Sequence, residues 1–240
     1  MIHSMRFRAK MIDGETEAVW RHVAPFVVWV AVMCLPMSNQ AFRYGLQVGA
    51  GGAVLLFAQP WRYYPPPALR HLPLGLLVGA GVFFLWVFPE SPWMKGAAGW
   101  FYDLYARTAV RQGPFPSSGG ASPYAPECCG WFLSLIRLGG SALVIAVAEE
   151  YFWRGFLMRW LQGQPFTGID PRRIGWGVLM VSSCLFGLEH SRWLAGVMAG
   201  TAYAFLYRRT GDLGVAVLAH GVTNGLLGLY VLITGSYQLW

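Results

Sequence analysis

The stretch Ala142-Leu143-Val144-Ile145-Ala146-Val147-Ala148-Glu149-Glu150-Tyr151-Phe152-Trp153-Arg154-Gly155-Phe156-Leu157 sets two adjacent acids inside an apolar run. From Trp131 to Ala148 the run is long enough to span most of a bilayer's hydrocarbon, for which about 20 residues are needed. A carboxylate near the centre of such a segment costs about 2.5–3.5 kcal/mol on insertion scales, so a neighbouring pair demands a role. A helix that ended at Ala148 would leave both acids in the interface. Against that, apolar residues resume after Glu150, and Arg154 stands at the i+4 spacing from which it can pair with Glu150. The expected role is a carboxylate centre in a membrane cavity.

The whole chain has the same character. Hydrophobic residues make up 55 % of its 240 residues and charged ones 12 %, and the mean hydropathy is +0.43. Soluble domains carry about 25 % charged residues, so the class is an all-α, polytopic membrane helix bundle. The net charge of +7 does not imply nucleic acid, because the basic residues stand singly or in pairs between apolar runs, as topology-setting charges do. Residues 1–21 are polar with no apolar core, so no removable signal peptide is expected. Cys34, Cys128, Cys129 and Cys184 form no CxxC pair and offer no zinc framework.

One integral membrane domain over residues 1–240 is expected. Residues 1–21 form a polar head, residues 22–130 accessory spans and an external loop, and residues 131–233 the helix core carrying the chemistry. About seven transmembrane helices are predicted: 22–37 (with Pro25 near its start), 44–58, 72–88, 131–160, 174–190, 193–207 and 214–233. A turn at Ser38-Asn39-Gln40 joins the first two. The aromatics between Trp93 and Tyr105 suggest an interfacial helix, and residues 112–129, rich in Pro, Gly and Ser, an irregular loop. With the N-terminus inside, the cytoplasmic segments hold Arg6, Arg8, Lys10, Arg21, Arg62, Arg70, Arg159, Arg172, Arg173, Arg208 and Arg209. The opposite side holds only Arg43, Lys95, Arg107, Arg111 and Arg192, so the bias predicts N-in and C-out. Arg137 and Arg154 fall within the fourth span.

Two further elements join the glutamates at membrane depth. In Phe186-Gly187-Leu188-Glu189-His190, Phe186 and His190 share a helix face; in His220-Gly221-Val222-Thr223-Asn224, His220 and Asn224 do. A carboxylate, two imidazoles and a carboxamide are what amide hydrolysis needs: a base for water, a proton carrier, and donors for the oxyanion. The same set could instead hold a divalent metal, zinc, through Glu149, His190 and His220. No Ser or Cys stands in a nucleophile context, and HExxH is absent. Glu189 is expected to reach the outer interface beside Arg192.

Glu149-Glu150-Tyr151-Phe152-Trp153-Arg154-Gly155 resembles the EExxxR motif of the CAAX-protease and bacteriocin-processing family of intramembrane endopeptidases. Phe186 to His190 is similar to that family's FxxxH motif, and His220 to Asn224 to its HxxxN motif. The stretches Trp153-Arg154-Gly155-Phe156-Leu157, Glu189-His190 and Trp193-Leu194-Ala195-Gly196 resemble, more narrowly, the bacterial members found with exosortase sorting systems. The resemblance implies that Glu149 and His190 activate water, that His220 and Asn224 hold the oxyanion, and that Glu150 and Arg154 pair to orient Glu149. It implies a peptide or protein substrate in the bilayer, membrane-associated or lipidated, an exosortase-type sorting system as partner, no nucleic acid, and the bacterial inner membrane as location. The expected cavity opens to the cytoplasmic side. The same acids and histidines would also serve a proton or ion-coupled transporter, or stand unused in a scaffold of a sorting or immunity system.

On straight helices, His190 would lie roughly 26 Å from Arg173 and Glu149 roughly 15 Å from Arg159. Tilt or a deeper start of the fifth helix has to close the difference.

Overall fold

Apolar runs punctuated by Gly, Pro and Asn become helices throughout. The computed structural model describes residues 2–111 and 122–240, with side chains from residue 14 onward. Among these residues there are helices and no strands. The long helices are α1 (Ile2–Met33), α2 (Gln40–Ala58) and α3 (Leu72–Val87), followed by two short ones, α4 (Pro92–Ala97) and α5 (Gly99–Thr108). After them come α6 (Pro126–Gln162), α7 (Trp176–Leu188), α8 (Trp193–Thr210) and α9 (Leu213–Thr234).

Each of the seven expected spans thus has a helix. Four segments, Gln40–Tyr63, Leu69–Glu90, Pro126–Gln162 and Leu213–Thr234, are long and apolar enough to cross a membrane. Phe57, Leu77, Phe84, Leu143 and Ile233 point outward from the bundle and are exposed, as side chains facing lipid would be.

Three boundaries differ from expectation. The polar head is the first half of α1, so Pro25 lies well inside that helix rather than near its start. The fourth span starts earlier: Pro126 sits in the first turn of α6, where its missing N–H costs nothing, and Gly130 at φ +79° kinks the helix before Trp131. The expected loop therefore ends before Pro126, and its residues 112–121 lie outside those described. The fifth span stops at Leu188, which leaves it 13 residues, about 20 Å, long. The turn at Ser38–Gln40 is as expected, with Asn39 accepting from the Phe42 N–H (2.9 Å) to cap α2. The four cysteines are free.

Packing brings the helices close where glycine permits. A Cβ on Gly79 would stand 2.5 Å from the Ala219 carbonyl oxygen and 2.9 Å from Val222 Cβ, so α3 lies almost backbone to backbone on α9. A Cβ on Gly196 would stand 2.9 Å from Gly187 Cα and 3.2 Å from His190 Cβ, which sets the α7–α8 crossing next to the histidine. The main core lies among α6, α7, α8 and α9, with Tyr151, Trp153, Phe186, Tyr203 and Tyr207 buried in it. His22 ties α1 in: its Nδ1 donates to the Ala18 carbonyl (2.6 Å), and Nε2 accepts from the Tyr64 hydroxyl (2.9 Å).

Candidate active site

Glu149 and Glu150 occupy a short α-helical piece, Ala146–Glu150, between π-helical stretches at Gly140–Ile145 and Tyr151–Leu157. Such wide turns inside α-helices are frequent at functional sites. Successive residues of a helix diverge by about 100°, and here the two acids part company. Glu150 is fully buried and turned into the protein. Glu149 keeps 12 % of its side chain exposed and lines a cavity of about 220 Å³.

The buried partner is held from two sides. Arg154 Nη1 donates to Glu150 Oε1 at 2.9 Å, the pairing that the i+4 spacing predicts, and Arg154 Nη2 donates to the Gly200 carbonyl at 3.0 Å. His220 Nδ1 donates to the same Glu150 oxygen at 2.9 Å. His220 Nε2 then faces Glu149 Oε2 at 3.7 Å. Its ring is stacked on Tyr203 (centroids 4.8 Å apart, 19° between planes). Tyr203 is fixed in turn by its hydroxyl, which donates to Thr223 Oγ1 at 2.7 Å.

His190 sits in the turn after α7 rather than on that helix. Its main-chain N–H donates to the Gly187 carbonyl (3.1 Å) and its Nδ1 to the Phe186 carbonyl (2.8 Å). A carbonyl only accepts, so Nδ1 carries the proton and Nε2 keeps the free lone pair. The rings of Phe186 and Trp86 flank the imidazole, with centroids 4.6 and 5.5 Å from it. The short α7 and this turn bring His190 to the level of Glu149. Irregular backbone at membrane depth is tolerated where it lines a cavity. Asn224 donates one amide N–H to the Ser141 carbonyl (2.9 Å), leaving the second N–H unused by that bond.

Glu149, His190, His220 and Asn224 all line the one cavity, while Glu150 and Arg154 lie behind it. Glu189 is exposed, in keeping with the expected position at the outer interface, but Arg192 is not its partner. Arg192 turns to Glu90 instead, with both guanidinium edges engaged (Nη2 to Oε2 2.9 Å). Glu189 accepts from Trp153 Nε1 at 3.0 Å, and one potential ligand atom from each of Glu149, Glu189 and His190 lies within 4.8 Å of the others. Two carboxylates and an imidazole form a donor set suited to a zinc ion. His220, expected in that set, is outside this group and has given Nδ1 to Glu150. The Glu189–His190 dipeptide was the available signal; the indole that claims Glu189 is 36 positions away.

The cavity also extends towards one end of the bundle. Trp86 near the end of α3, Arg137 in the first part of α6, Ser191 and Arg192 between α7 and α8, and Leu239 and Trp240 after α9 line it. That is the end carrying the C-terminus. N-in, C-out topology and a cavity opening to the cytoplasm, both expected from sequence, are therefore incompatible.

Residues 131–226 match the family model described as type II CAAX prenyl endopeptidase Rce1-like. All six motif residues, Glu149, Glu150, Arg154, His190, His220 and Asn224, fall inside the matched stretch. The match covers less than half of the 240 residues, and over that stretch the chain is similar to the family. The curated proteins and the solved structures gave no match.

Proposed function

We propose that the protein is an intramembrane endopeptidase that hydrolyses a peptide bond of a membrane-associated or lipidated substrate by direct attack of water. The observation that carries this reading is the convergence of Glu149, His190, His220 and Asn224 on one cavity. Glu149 takes the proton of a water that the free Nε2 of His190 also holds. The oxyanion of the tetrahedral intermediate meets the second N–H of Asn224 and Nε2–H of His220. Donation from Nε2 while Nδ1 serves Glu150 requires both ring nitrogens of His220 to carry protons. Glu149 then passes its proton to the leaving amine. Glu150 and Arg154 act as positioning residues.

A second reading is favoured by the proximity of Glu149, Glu189 and His190. These residues would hold a zinc ion, which when bound supplies an activated water. The test is cleavage of membrane-anchored peptide libraries by the purified protein, read by mass spectrometry, with and without 1,10-phenanthroline. His190→Ala should lower turnover by about 10²–10⁴-fold and Asn224→Ala by about 10²–10³-fold. Turnover at the unaltered rate in His190→Ala sinks the endopeptidase reading. Loss of turnover to the chelator, restored by zinc, selects the metal form of it.

We place the protein in the bacterial inner membrane with its N-terminus in the cytoplasm, on the strength of the Lys/Arg bias. The cavity then opens to the outer face. A reporter fused after Trp240 should read as external; a cytoplasmic readout would turn the bundle over and return the cavity to the cytoplasm. The stretches shared with the exosortase-associated proteins support a substrate belonging to such a sorting system.

A further inference from the structure

The turn that carries His190 leans on a part of the chain with no other role in the site. Residues 189–192 belong neither to α7, which ends at Leu188, nor to α8, which starts at Trp193. The place of the imidazole therefore depends on what holds this turn, and residues 86–111 hold it at four successive positions. The Trp86 ring stands nearly edge-on to the His190 ring, with centroids 5.5 Å apart and 74° between planes. The Ser191 carbonyl accepts from the Arg111 N–H at 2.6 Å. Arg192 donates to Glu90 from two nitrogens, Nε to Oε1 and Nη2 to Oε2, the latter at 2.9 Å. Trp193 Nε1 donates to the Thr108 carbonyl at 2.8 Å.

The ion pair among these contacts is buried, with the Arg192 side chain 7 % and that of Glu90 9 % exposed. Burying two charges costs desolvation that an apolar pair of similar volume avoids, so packing alone does not call for one. What two parallel N–H···O bonds add is a fixed direction. Glu90 also lies outside residues 131–226, the stretch that is similar to the family. We propose that Glu90 and Arg192 are positioning residues, which hold the turn so that His190 Nε2 meets the water beside Glu149. The effect on turnover rests on the endopeptidase reading; the placement of the ring does not. A neutral group at position 90 leaves the Arg192 charge buried and unpaired, and the turn shifts to hydrate it.

The test uses the full chain in detergent. Glu90→Gln should lower kcat by about 10²-fold, the scale of an ångström's misplacement at a reacting group, with KM unmoved. Glu90→Leu combined with Arg192→Met replaces the pair by apolar groups. That variant should melt no lower than the unaltered protein, yet keep the low kcat. Nitrogen-15 spectra of the five histidine rings supply a readout independent of turnover. The His190 signal, assigned by its absence in His190→Ala, reports the Nδ1–H bond to Phe186 and should move in both variants. An unmoved signal in both overturns the proposal. So does kcat kept in the apolar variant, because the pair would then serve the fold alone, and so does a rise in KM with kcat kept, because Arg192 would then contact substrate. Should Glu90→Gln not fold, the apolar variant decides. Turnover indifferent to His190→Ala, with a His190 signal that moves in the pair variants, sinks the endopeptidase reading alone. Turnover lost in His190→Ala but kept in both pair variants sinks the positioning pair alone.

Discussion

Glu149→Gln should lower peptide hydrolysis by about 10²–10⁴-fold, the usual contribution of a general base, while the melting temperature in detergent stays where it was. The geometry separates the two effects. Glu149 makes its closest charged contact at 3.7 Å, to His220 Nε2, and keeps part of its side chain open to the cavity. A glutamine fills the same space with similar hydrogen-bonding reach, and Glu149 has no charged partner closer than 3.7 Å to leave behind, so the fold loses little. What the amide cannot do is take a proton from water. Paired measurements of turnover and melting decide the point. Retained turnover in Glu149→Gln would move the base to Glu189, the other carboxylate within 4.8 Å of His190.

That alternative shows where sequence reasoning runs out. The pairing of Glu150 with Arg154 one helical turn on and the divergence of Glu149 from Glu150 were legible, since both follow from 3.6 residues per turn. The helical class and the places of the long helices follow from hydropathy. Contacts between distant segments carried no such signal. The sequence sets Glu189 beside Arg192 at the outer interface, but it is Glu90, 102 positions away, that holds the guanidinium. His220 was read with Asn224, on its own helix; its Nδ1 partner is Glu150, 70 positions away. The sequence carries the fifth helix through to His190, on the spacing of Phe186 and His190 along one face, whereas the chain turns there and α8 crosses at Gly196. The π-helical turns around the glutamates left no mark in the periodicity, since they alter the helix by single residues. The sequence reading thus named the residues of the cavity, but its expectations of N-in topology and of a cytoplasmic opening do not go together, because the end that the cavity reaches is a property of the assembled bundle.

Glu150→Gln should do what Glu149→Gln does not, and lower stability by about 3–5 kcal/mol, the cost of leaving one member of a buried ion pair without its partner. Glu150 is 0 % and Arg154 1 % exposed, so neither charge has water to fall back on. The carboxylate accepts from both Arg154 and His220 on one oxygen. A neutral amide can still accept from both with its one oxygen, its NH2 falling where Glu150 Oε2 has no partner, but it offsets no charge. Arg154 would be left with neutral acceptors only, the amide oxygen and the Gly200 carbonyl, and His220 would lose the charged partner that holds its ring. For a chain of this size each kcal/mol shifts the melting temperature by about 2–4 °C, so a fall of roughly 6–20 °C is expected. Turnover should fall as well, through His220, which distinguishes this site from a purely structural pair. The double variant Glu150→Gln with Arg154→Met removes both charges, and should recover part of the lost stability without recovering turnover. A double variant no more stable than Glu150→Gln alone would mean that the pair is not coupled. An unchanged melting temperature in Glu150→Gln would mean that Glu150 does not hold the helix, and the separate roles given to the two glutamates would fall with it.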